Sequence, residues 1–121
     1  MKYLLLIHHD EQVWEKRTEA ERQEIYGEFR QLQQKLRASG QYLDGSQVHP
    51  TSSATSVRVR DGKRLLTDGP FAETREQLGG YFLVDAKDLD DAIGIAAAIP
   101  AARWGTIEVR PLVEVPVTAA S

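Results

Sequence analysis

Apolar and polar residues follow one another along the chain in a pattern that predicts strands and amphipathic helices. Residues 1–8 carry apolar side chains on both faces of an extended segment, which is typical of a strand covered on both sides. Within 18–40, apolar residues recur at spacings of four, three and four, which predicts a helix with one apolar face: Ile25, Phe29, Leu32 and Leu36. Thr18 and Glu21 match a capping box at its start.

The second half of the chain predicts further strands and one hairpin. Residues 41–48 are expected to form a short strand. The dipeptide Asp61-Gly62 lies between two apolar segments, which is typical of a β-hairpin. A central strand is expected at 78–84 and a last strand at 106–115.

One of two further segments is expected to form a loop or loose turn, and the other a second helix. Residues 10–17 are polar around Trp14 and are expected to form a loop or one loose turn. Asp88, with Asp91 three residues later, predicts the start of a second helix. Its expected apolar face consists of Leu89, Ala92, Ile93, Ala96 and Ala97.

The order of these elements predicts an α+β fold of the βαββαβ type with an inserted hairpin. The right-handed crossover rule places both helices on one face of the sheet. The other face is also apolar, through Leu4, Leu6, Phe82 and Leu112 or the residues that alternate with them. We therefore expect a homodimer whose sheets pack face to face around a cleft, and obligate interfaces of this kind bury more than about 2,000 Å².

Length, charge and cysteine content favour a single-domain cytoplasmic protein that binds neither nucleic acid nor membranes. A chain of 121 residues fits one domain, expected at 1–115, with a frayed tail at 116–121. A net charge of −3 argues against a nucleic-acid-binding surface. The chain contains no cysteine, which fits a reducing cytoplasm, and the apolar run Leu4 to Ile7 is too short for a signal peptide or membrane span. We expect a cytoplasmic protein with no membrane partner and no cofactor.

The segment from Thr67 to Phe82 gathers charged residues between a Gly-Pro turn and a Gly-Gly pair. Asp68 stands just before Gly69-Pro70, and two interpretations of it remain open. Its carboxylate accepts nearby backbone N–H groups in an Asx-type turn, or it lies at the mouth of a cleft as a base or cation anchor.

His8 and His9 end the first strand. Alternation along a strand sends the two rings to opposite faces, so they cannot share one compact metal site, and no metal is expected. One ring could face the cleft and act as an acid or base near neutral pH. The alternative is an ordinary surface or hydrogen-bonded histidine.

Two arginines are candidates for binding an anionic substrate. Arg110 lies on the polar side of an apolar strand and needs a partner, which is Glu108, Glu76 or a ligand carboxylate. Glu73 and Arg75 either form a solvated loop or fold over the cleft, where the planar guanidinium of Arg75 would bind an anion.

Four segments together resemble the DGPF-domain proteins, a branch of the YCII-related family: 67–81, 1–7, 57–63 and 108–111. The resemblance implies a ferredoxin-like fold that forms a dimeric α+β barrel, and a setting beside extracytoplasmic-function sigma factors. Some members of the wider family have a His–Asp pair suspected of catalysis, with the histidine on the first helix. Residues 18–40 contain no histidine, so that pair is not transferred to this chain.

Three functional hypotheses follow. In the first, the protein binds a small polar or anionic molecule and acts by acid–base chemistry: Asp68 and His9 transfer protons, while Arg110, Arg75, Glu73 and His8 bind the substrate. In the second, which rests on the resemblance, it is a non-catalytic accessory or sensor module that works with a sigma factor. In the third, the motif is purely structural, and Asp68 and Arg110 only stabilise the Gly-Pro turn.

Overall fold

Six strands and three α-helices make up residues 1–114, the part of the chain that the computed structural model describes. The α+β class is therefore confirmed. The predicted tail at 116–121 and Val115 lie outside the described residues. The elements are β1 Lys2–His9, α1 Glu11–Glu15, α2 Glu19–Ala38, β2 Tyr42–Gln47, β3 Thr55–Arg60, β4 Lys63–Asp68, β5 Gln77–Asp85, α3 Leu89–Ala98 and β6 Thr106–Pro111, with short 3-10 helices at Thr51–Ser53 and Pro100–Arg103.

The main sheet has four strands in the order β2-β5-β1-β6, and all neighbouring strands are antiparallel. The prediction of a central strand at 78–84 is confirmed, since β5 pairs with both β1 and β2. Strands β3 and β4 pair only with each other. The hairpin therefore stands apart from the main sheet.

Both long helices pack against the same face of the main sheet. Tyr3, Leu5 and Ile7 of β1 point into this core, and side chains of α2 and α3 cover them. Leu5, Val84 and Ile99 are the largest side chains that are completely buried. Burying a side chain of this size contributes about 1.5–3 kcal/mol to the free energy of folding, so this layer is the main source of stability.

The assignment of Phe82 to the opposite face was wrong. Phe82 pairs with Leu5 across β1 and β5, and residues paired in this way share a face. Its ring therefore lies in the core beneath α2, 5.5 Å from the ring of Tyr42 and 6.2 Å from that of Phe29, measured between centroids.

Helix α2 begins as its sequence predicts. The Thr18 hydroxyl accepts a hydrogen bond from the Glu21 backbone N–H at 3.1 Å, and the Glu21 carboxylate accepts one from the Thr18 backbone N–H at 3.0 Å. This reciprocal pair satisfies two donors that a helix start leaves free. Ile25 and Leu36 of the predicted stripe are buried.

Helix α3 also begins as expected, because the Asp88 carboxylate accepts a hydrogen bond from the Asp91 backbone N–H. Its predicted apolar face was partly wrong. Leu89 and Ile93 are about half exposed and Ala97 is exposed, whereas the buried residues are Ala92, Ile95 and Ala96. Compared with the prediction, the helix is rotated about its axis, so that the buried face runs from Ala92 through Ile95 and Ala96 to Ile99, which is completely buried just after the helix.

The hairpin turn has the geometry that its sequence predicts. Asp61 and Gly62 have φ values of 52° and 74°, and this left-handed pair is what a two-residue type I′ turn requires. Both strands of the hairpin are almost entirely exposed, including the apolar side chains of Val57, Val59 and Leu66.

The face of the main sheet away from the helices is open. Leu4 and Leu6 lie on it, opposite Leu83 and Tyr81 of β5, and all four side chains are only partly buried. Arg110 and Glu108 continue this face along β6. Of the helices within 1–114, none has both the length and the apolar composition that a membrane crossing demands.

Candidate functional site

A cavity of about 150 Å³ lies between α2 and the main sheet, where β1 ends. We call it the aromatic pocket, because five of its lining residues are aromatic and they include both tryptophans of the chain. Its lining residues are Ile7, His9, Trp14, Tyr26, Phe29, Gln33, Ser46, Gln47, Gly79, Gly80, Phe82, Ala101 and Trp104.

A β-bulge places His9 in this pocket. The pairing of β1 with β5 passes from Ile7 and Gly80 to His8 and Leu78, so that Gly79 has no partner. The ring of His9 lies where a side chain at position 79 would point, because a Cβ on Gly79 would overlap its Nε2 and Cδ2 atoms. Glycine is therefore required here for a close approach between the backbone and the ring.

Helix α1 holds Trp14 over the pocket. The Glu11 carboxylate accepts hydrogen bonds from the backbone N–H and the hydroxyl of Thr51, each at 2.8 Å. The Glu11 backbone N–H donates to the side-chain oxygen of Gln77 at 3.0 Å. These bonds attach α1 both to β5 and to the segment after β2, so a helix of only five residues is held in place.

The aromatic rings around His9 meet edge to face. The His9 and Trp14 ring centroids are 6.2 Å apart at an interplanar angle of 87°, and Trp14 contacts Tyr26 at 5.6 Å and 64°. This is the geometry that aromatic quadrupoles favour. The three rings therefore form a continuous wall of the pocket.

The surroundings of His9 lower its pKa from the ordinary value. Partial burial is the main cause because it disfavours the charged ring; the nearby carboxylates of Glu11, Asp10 and Glu76 oppose the shift, and Arg17 adds to it. The imidazole is therefore neutral at pH 7 and has a nitrogen that can accept a proton.

Arg17 does not line the aromatic pocket itself, but it contacts Trp104, which does. Its guanidinium carbon is 4.5 Å from the centroid of the Trp104 ring, which is within cation–π distance. Arg103 contacts the same ring at 5.3 Å, but Arg103 also forms a salt bridge with Glu28. Trp104 is thus contacted by two arginines, of which one is paired with a carboxylate.

A second, larger space of about 520 Å³ lies beside the segment 67–82, and we call it the loop groove. Its lining residues are His8, Val48, His49, Pro50, Thr51, Ser53, Ala54, Pro70, Phe71, Ala72, Thr74, Glu76, Gln77 and Leu78. His8 and His9 therefore line different spaces, as strand alternation predicts.

His8 belongs to a polar cluster on the open sheet face. Its Nε2 is 3.1 Å from one oxygen of Glu108, and Nε of Arg110 donates to the other oxygen at 2.6 Å. The hydrogen bond from Arg110, followed by that from His8, lowers the pKa of Glu108. Of the three partners considered for Arg110, the structure therefore shows Glu108.

The remaining candidates lie away from the aromatic pocket. Asp68 is exposed at the end of β4, opposite Thr55, and lines neither the aromatic pocket nor the loop groove. Among residues 1–114 its carboxylate has no hydrogen-bond partner, so the Asx-type turn is not formed there. Glu73 and Arg75 are exposed in the loop before β5. Within one chain, Asp68 and His9 do not share a pocket.

Sequence reasoning missed the aromatic residues and Arg17. Residues 10–17, which include Trp14 and Arg17, were expected to form a loop or one loose turn, whereas the structure forms helix α1 with Trp14 on it. Trp104 was assigned to no site. The available signal was that a tryptophan lies four residues after Asp10, within a largely polar segment that directly follows the two histidines. Within the described part of the chain, no group of three His, Asp or Glu side chains is arranged to hold a metal ion.

Comparison with known proteins gives one family and one relative. A sequence model of the YCII-related domain matches residues 1–116. The chain is also similar to an uncharacterized protein of Rhizobium meliloti (strain 1021), with 34% identity over 114 residues. That alignment covers 93% of this chain and 92% of the relative, so the two proteins correspond over nearly their whole lengths.

Proposed function

This chain belongs to the YCII-related family, and from that membership and its aromatic pocket we propose that the protein binds a small molecule between α2 and the sheet. The observation that carries the proposal is the pocket itself, with a neutral histidine at its edge. Pockets that combine apolar and aromatic walls with a few polar groups are typical of ligand sites.

The volume of the pocket sets the size of its ligand. A cavity of about 150 Å³ accepts a molecule the size of benzene in an engineered protein core. The aromatic pocket has the same volume and also carries polar groups at His9, Gln33 and Gln47. We therefore propose a ligand with one ring or a chain of similar size, oriented by these polar groups.

His9 supplies acid–base chemistry in this proposal. Its neutral imidazole would accept a proton from a bound ligand and return it, which is the ordinary task of a histidine in catalysis. Asp68 is the second proton-transfer group of the sequence hypothesis, and its exposed position in β4 offers no contact with His9 within one chain. The participation of Asp68, Arg75 and Glu73 therefore stays a prediction.

We further propose a homodimer with a ferredoxin-like fold and a barrel formed by two sheets. The strand order β2-β5-β1-β6 supports the fold, and the open face with Leu4, Leu6, Tyr81 and Leu83 supports the dimer. The hairpin supports it as well, because a two-stranded hairpin with an exposed apolar face is only marginally stable in water. A second copy would cover both surfaces.

Association with an extracytoplasmic-function sigma factor is the alternative function. It rests on the resemblance alone and stays a prediction. A pull-down in which a sigma factor is expressed and is not recovered would count against it.

Binding of single-ring compounds tests the main proposal. Trp14 and Trp104 both line the pocket and are the only tryptophans of the chain, so tryptophan fluorescence reports on its occupancy. We expect some members of a set of neutral and charged single-ring compounds to quench this fluorescence and to shift the amide NMR signals of Gly79 and Gly80.

Two variants of α2 test whether the single-ring compounds bind in the aromatic pocket. Gln33 lines the pocket, whereas its neighbour Gln34 is exposed and does not. Gln33→Phe should fill the cavity and weaken binding at least tenfold, and Gln34→Phe should leave it unchanged. Equal binding by the two variants would exclude the aromatic pocket as the site, and the absence of any binding compound would refute the proposal.

A further inference from the structure

Arg17 differs from the other arginine that contacts Trp104. Arg103 forms a salt bridge with Glu28, whereas the side chain of Arg17 has no hydrogen-bond or salt-bridge partner among residues 1–114. Both are stacked on a ring that lines the aromatic pocket. The Arg17 guanidinium is therefore a positive charge beside Trp104 with no salt bridge in the described chain; the Glu21 carboxylate interacts with it only over a longer distance.

The Nε atom of Arg17 is also buried without an acceptor. A buried donor that makes no hydrogen bond is costly, and such groups are usually satisfied by a protein group, a water or a ligand. Arg22 shares this feature at its own Nε, but its Nη2 already donates to the backbone carbonyls of Trp14 and Glu15. Arg22 thus supports the end of α1 through hydrogen bonds, whereas the Arg17 side chain makes no hydrogen bond in the described chain and stacks on Trp104.

The planar guanidinium of Arg17 is suited to one kind of partner. Arginine binds carboxylates through two parallel hydrogen bonds, and a guanidinium stacked on an aromatic ring keeps its donors in a fixed plane. A ligand with an aromatic ring and a carboxylate would use both features of the site: the ring would lie between the aromatic walls, and the carboxylate would accept hydrogen bonds in the plane of the Arg17 guanidinium.

Resting on the proposed function, we infer that the ligand of the aromatic pocket is a single aromatic ring with a carboxylate or similar anionic group, which Arg17 binds. The ring lies among Trp14, Phe29 and Phe82, and the anionic group extends towards Trp104 and Arg17. The sequence hypothesis gave this task to Arg110 and Arg75. Arg110 is already bonded to Glu108, and Arg75 is exposed in a loop.

The pKa of His9 reports independently on whether an anionic group is bound at Arg17. Burial is the main cause of the lowered pKa of His9; Glu11, Asp10 and Glu76 raise the pKa, and the positive charge of Arg17 lowers it to a smaller extent. A carboxylate bound to Arg17 adds a negative charge near the ring. Because either ligand also shields the ring from water, the pKa of His9 should be higher with an anionic ligand bound than with a neutral ligand of the same shape.

The test compares phenylacetate with its neutral analogue phenylacetamide. Each is titrated into the wild-type protein, Arg17→Gln and Arg103→Gln, and binding is followed by tryptophan fluorescence and by the NMR signals of Gly79 and Gly80. We expect the wild-type protein to bind phenylacetate at least tenfold more tightly. Arg17→Gln should lose this preference and keep its affinity for phenylacetamide, while Arg103→Gln should retain the preference.

The outcomes separate this inference from the proposed function. Equal affinity of the wild-type protein for the two compounds, or an unchanged preference in Arg17→Gln, would overturn the role of Arg17 and leave the pocket intact. If neither compound binds and the amide NMR signal of Gly79 does not shift, the inference is overturned. The proposed function is tested separately, by the wider set of single-ring compounds and the Gln33→Phe variant. If Arg17→Gln does not fold, Arg17→Lys keeps the charge without the planar donors and should reduce the preference.

Discussion

The ring of His9 lies against the backbone of Gly79, the residue that the pairing of β1 and β5 leaves without a partner. This contact couples a bulge in the sheet to the position of the imidazole whose pKa burial lowers. Gly79 of the Gly-Gly pair therefore has a specific task, which is to admit an imidazole ring at the edge of the pocket, whereas Gly80 allows a close approach to the backbone of Ser46.

Replacement of Gly79 by alanine should displace His9. The added Cβ overlaps two atoms of the ring, and forcing an extra methyl group into a packed site costs about 1–3 kcal/mol. We expect a corresponding loss in the free energy of unfolding, measured with urea. Because the displaced ring is better solvated, the pKa of His9 should also return towards its ordinary value in an NMR titration.

Gly94 provides the matched control for this change. It lies in α3 with no atom within 4 Å of an added Cβ, so Gly94→Ala should stabilise the protein by up to about 1 kcal/mol through helix propensity. Equal effects of the two substitutions on stability would show that the contact between His9 and Gly79 is unimportant.

The stability of the protein should depend on pH through His9. Since burial lowers the pKa of His9 below its ordinary value of about 6.5, the unfolded chain binds the proton more readily than the folded one. This contribution to stability is therefore present above about pH 6.5 and is lost as the pH falls through the lowered, folded-state pKa. Urea unfolding between about pH 5 and 8 should show this slope in the wild-type protein, and His9→Gln should remove part of it. An identical slope in both would contradict the assignment.

Arg110 should control the ionisation of Glu108. Its hydrogen bond is the main reason for the lowered pKa of that carboxyl, so Arg110→Ala should raise the pKa of Glu108 towards its ordinary value. A titration of the carboxyl carbons by NMR measures the change. Arg60→Ala removes an exposed arginine that is bonded only to a neighbouring backbone carbonyl, and should leave Glu108 unaffected.

The proposed dimer should depend on the open face of the sheet. Leu6→Glu places a charge at its centre, opposite Tyr81, and should convert the protein to a monomer at micromolar concentration in light scattering. Leu89→Glu makes the same chemical change at a half-exposed position of α3 and should not affect the oligomeric state. A wild-type protein that is already monomeric would refute the dimer.

Asp68→Asn should separate a structural role of the motif from a functional one. The side chain is exposed and has no hydrogen-bond partner among residues 1–114, so the free energy of unfolding should change by less than about 0.5 kcal/mol. A large loss of stability would favour the hypothesis that Asp68 stabilises the Gly-Pro turn. A loss of turnover, once a substrate is known, would instead support its role in proton transfer.

Sequence patterns predicted correctly those structural features that depend only on residues close together in the chain. The capping box at Thr18 and the turn at Asp61-Gly62 formed as predicted, because both depend on residues that are neighbours along the chain. The faces of β1 followed for the same reason, since alternation along a strand needs no distant partner.

The placement of Phe82 and the composition of the pocket depended on contacts between distant segments. Phe82 joined the core because its partner in the sheet is Leu5, and that register is set by packing across more than seventy residues of chain. The rotation of α3, which buries Ile95 and leaves Leu89 half exposed, was likewise decided by packing on the sheet.

By itself, the sequence determined the α+β class, the starts of α2 and α3, the hairpin and the family of this protein. Only the tertiary structure decided that His9 enters a pocket with Trp14 and Trp104, that Arg17 contacts Trp104, and that Asp68 lies elsewhere. The physical reason is that a cap or a turn is stabilised by neighbours in the chain, whereas a pocket is formed by side chains from segments that meet only after the sheet register and helix packing are established.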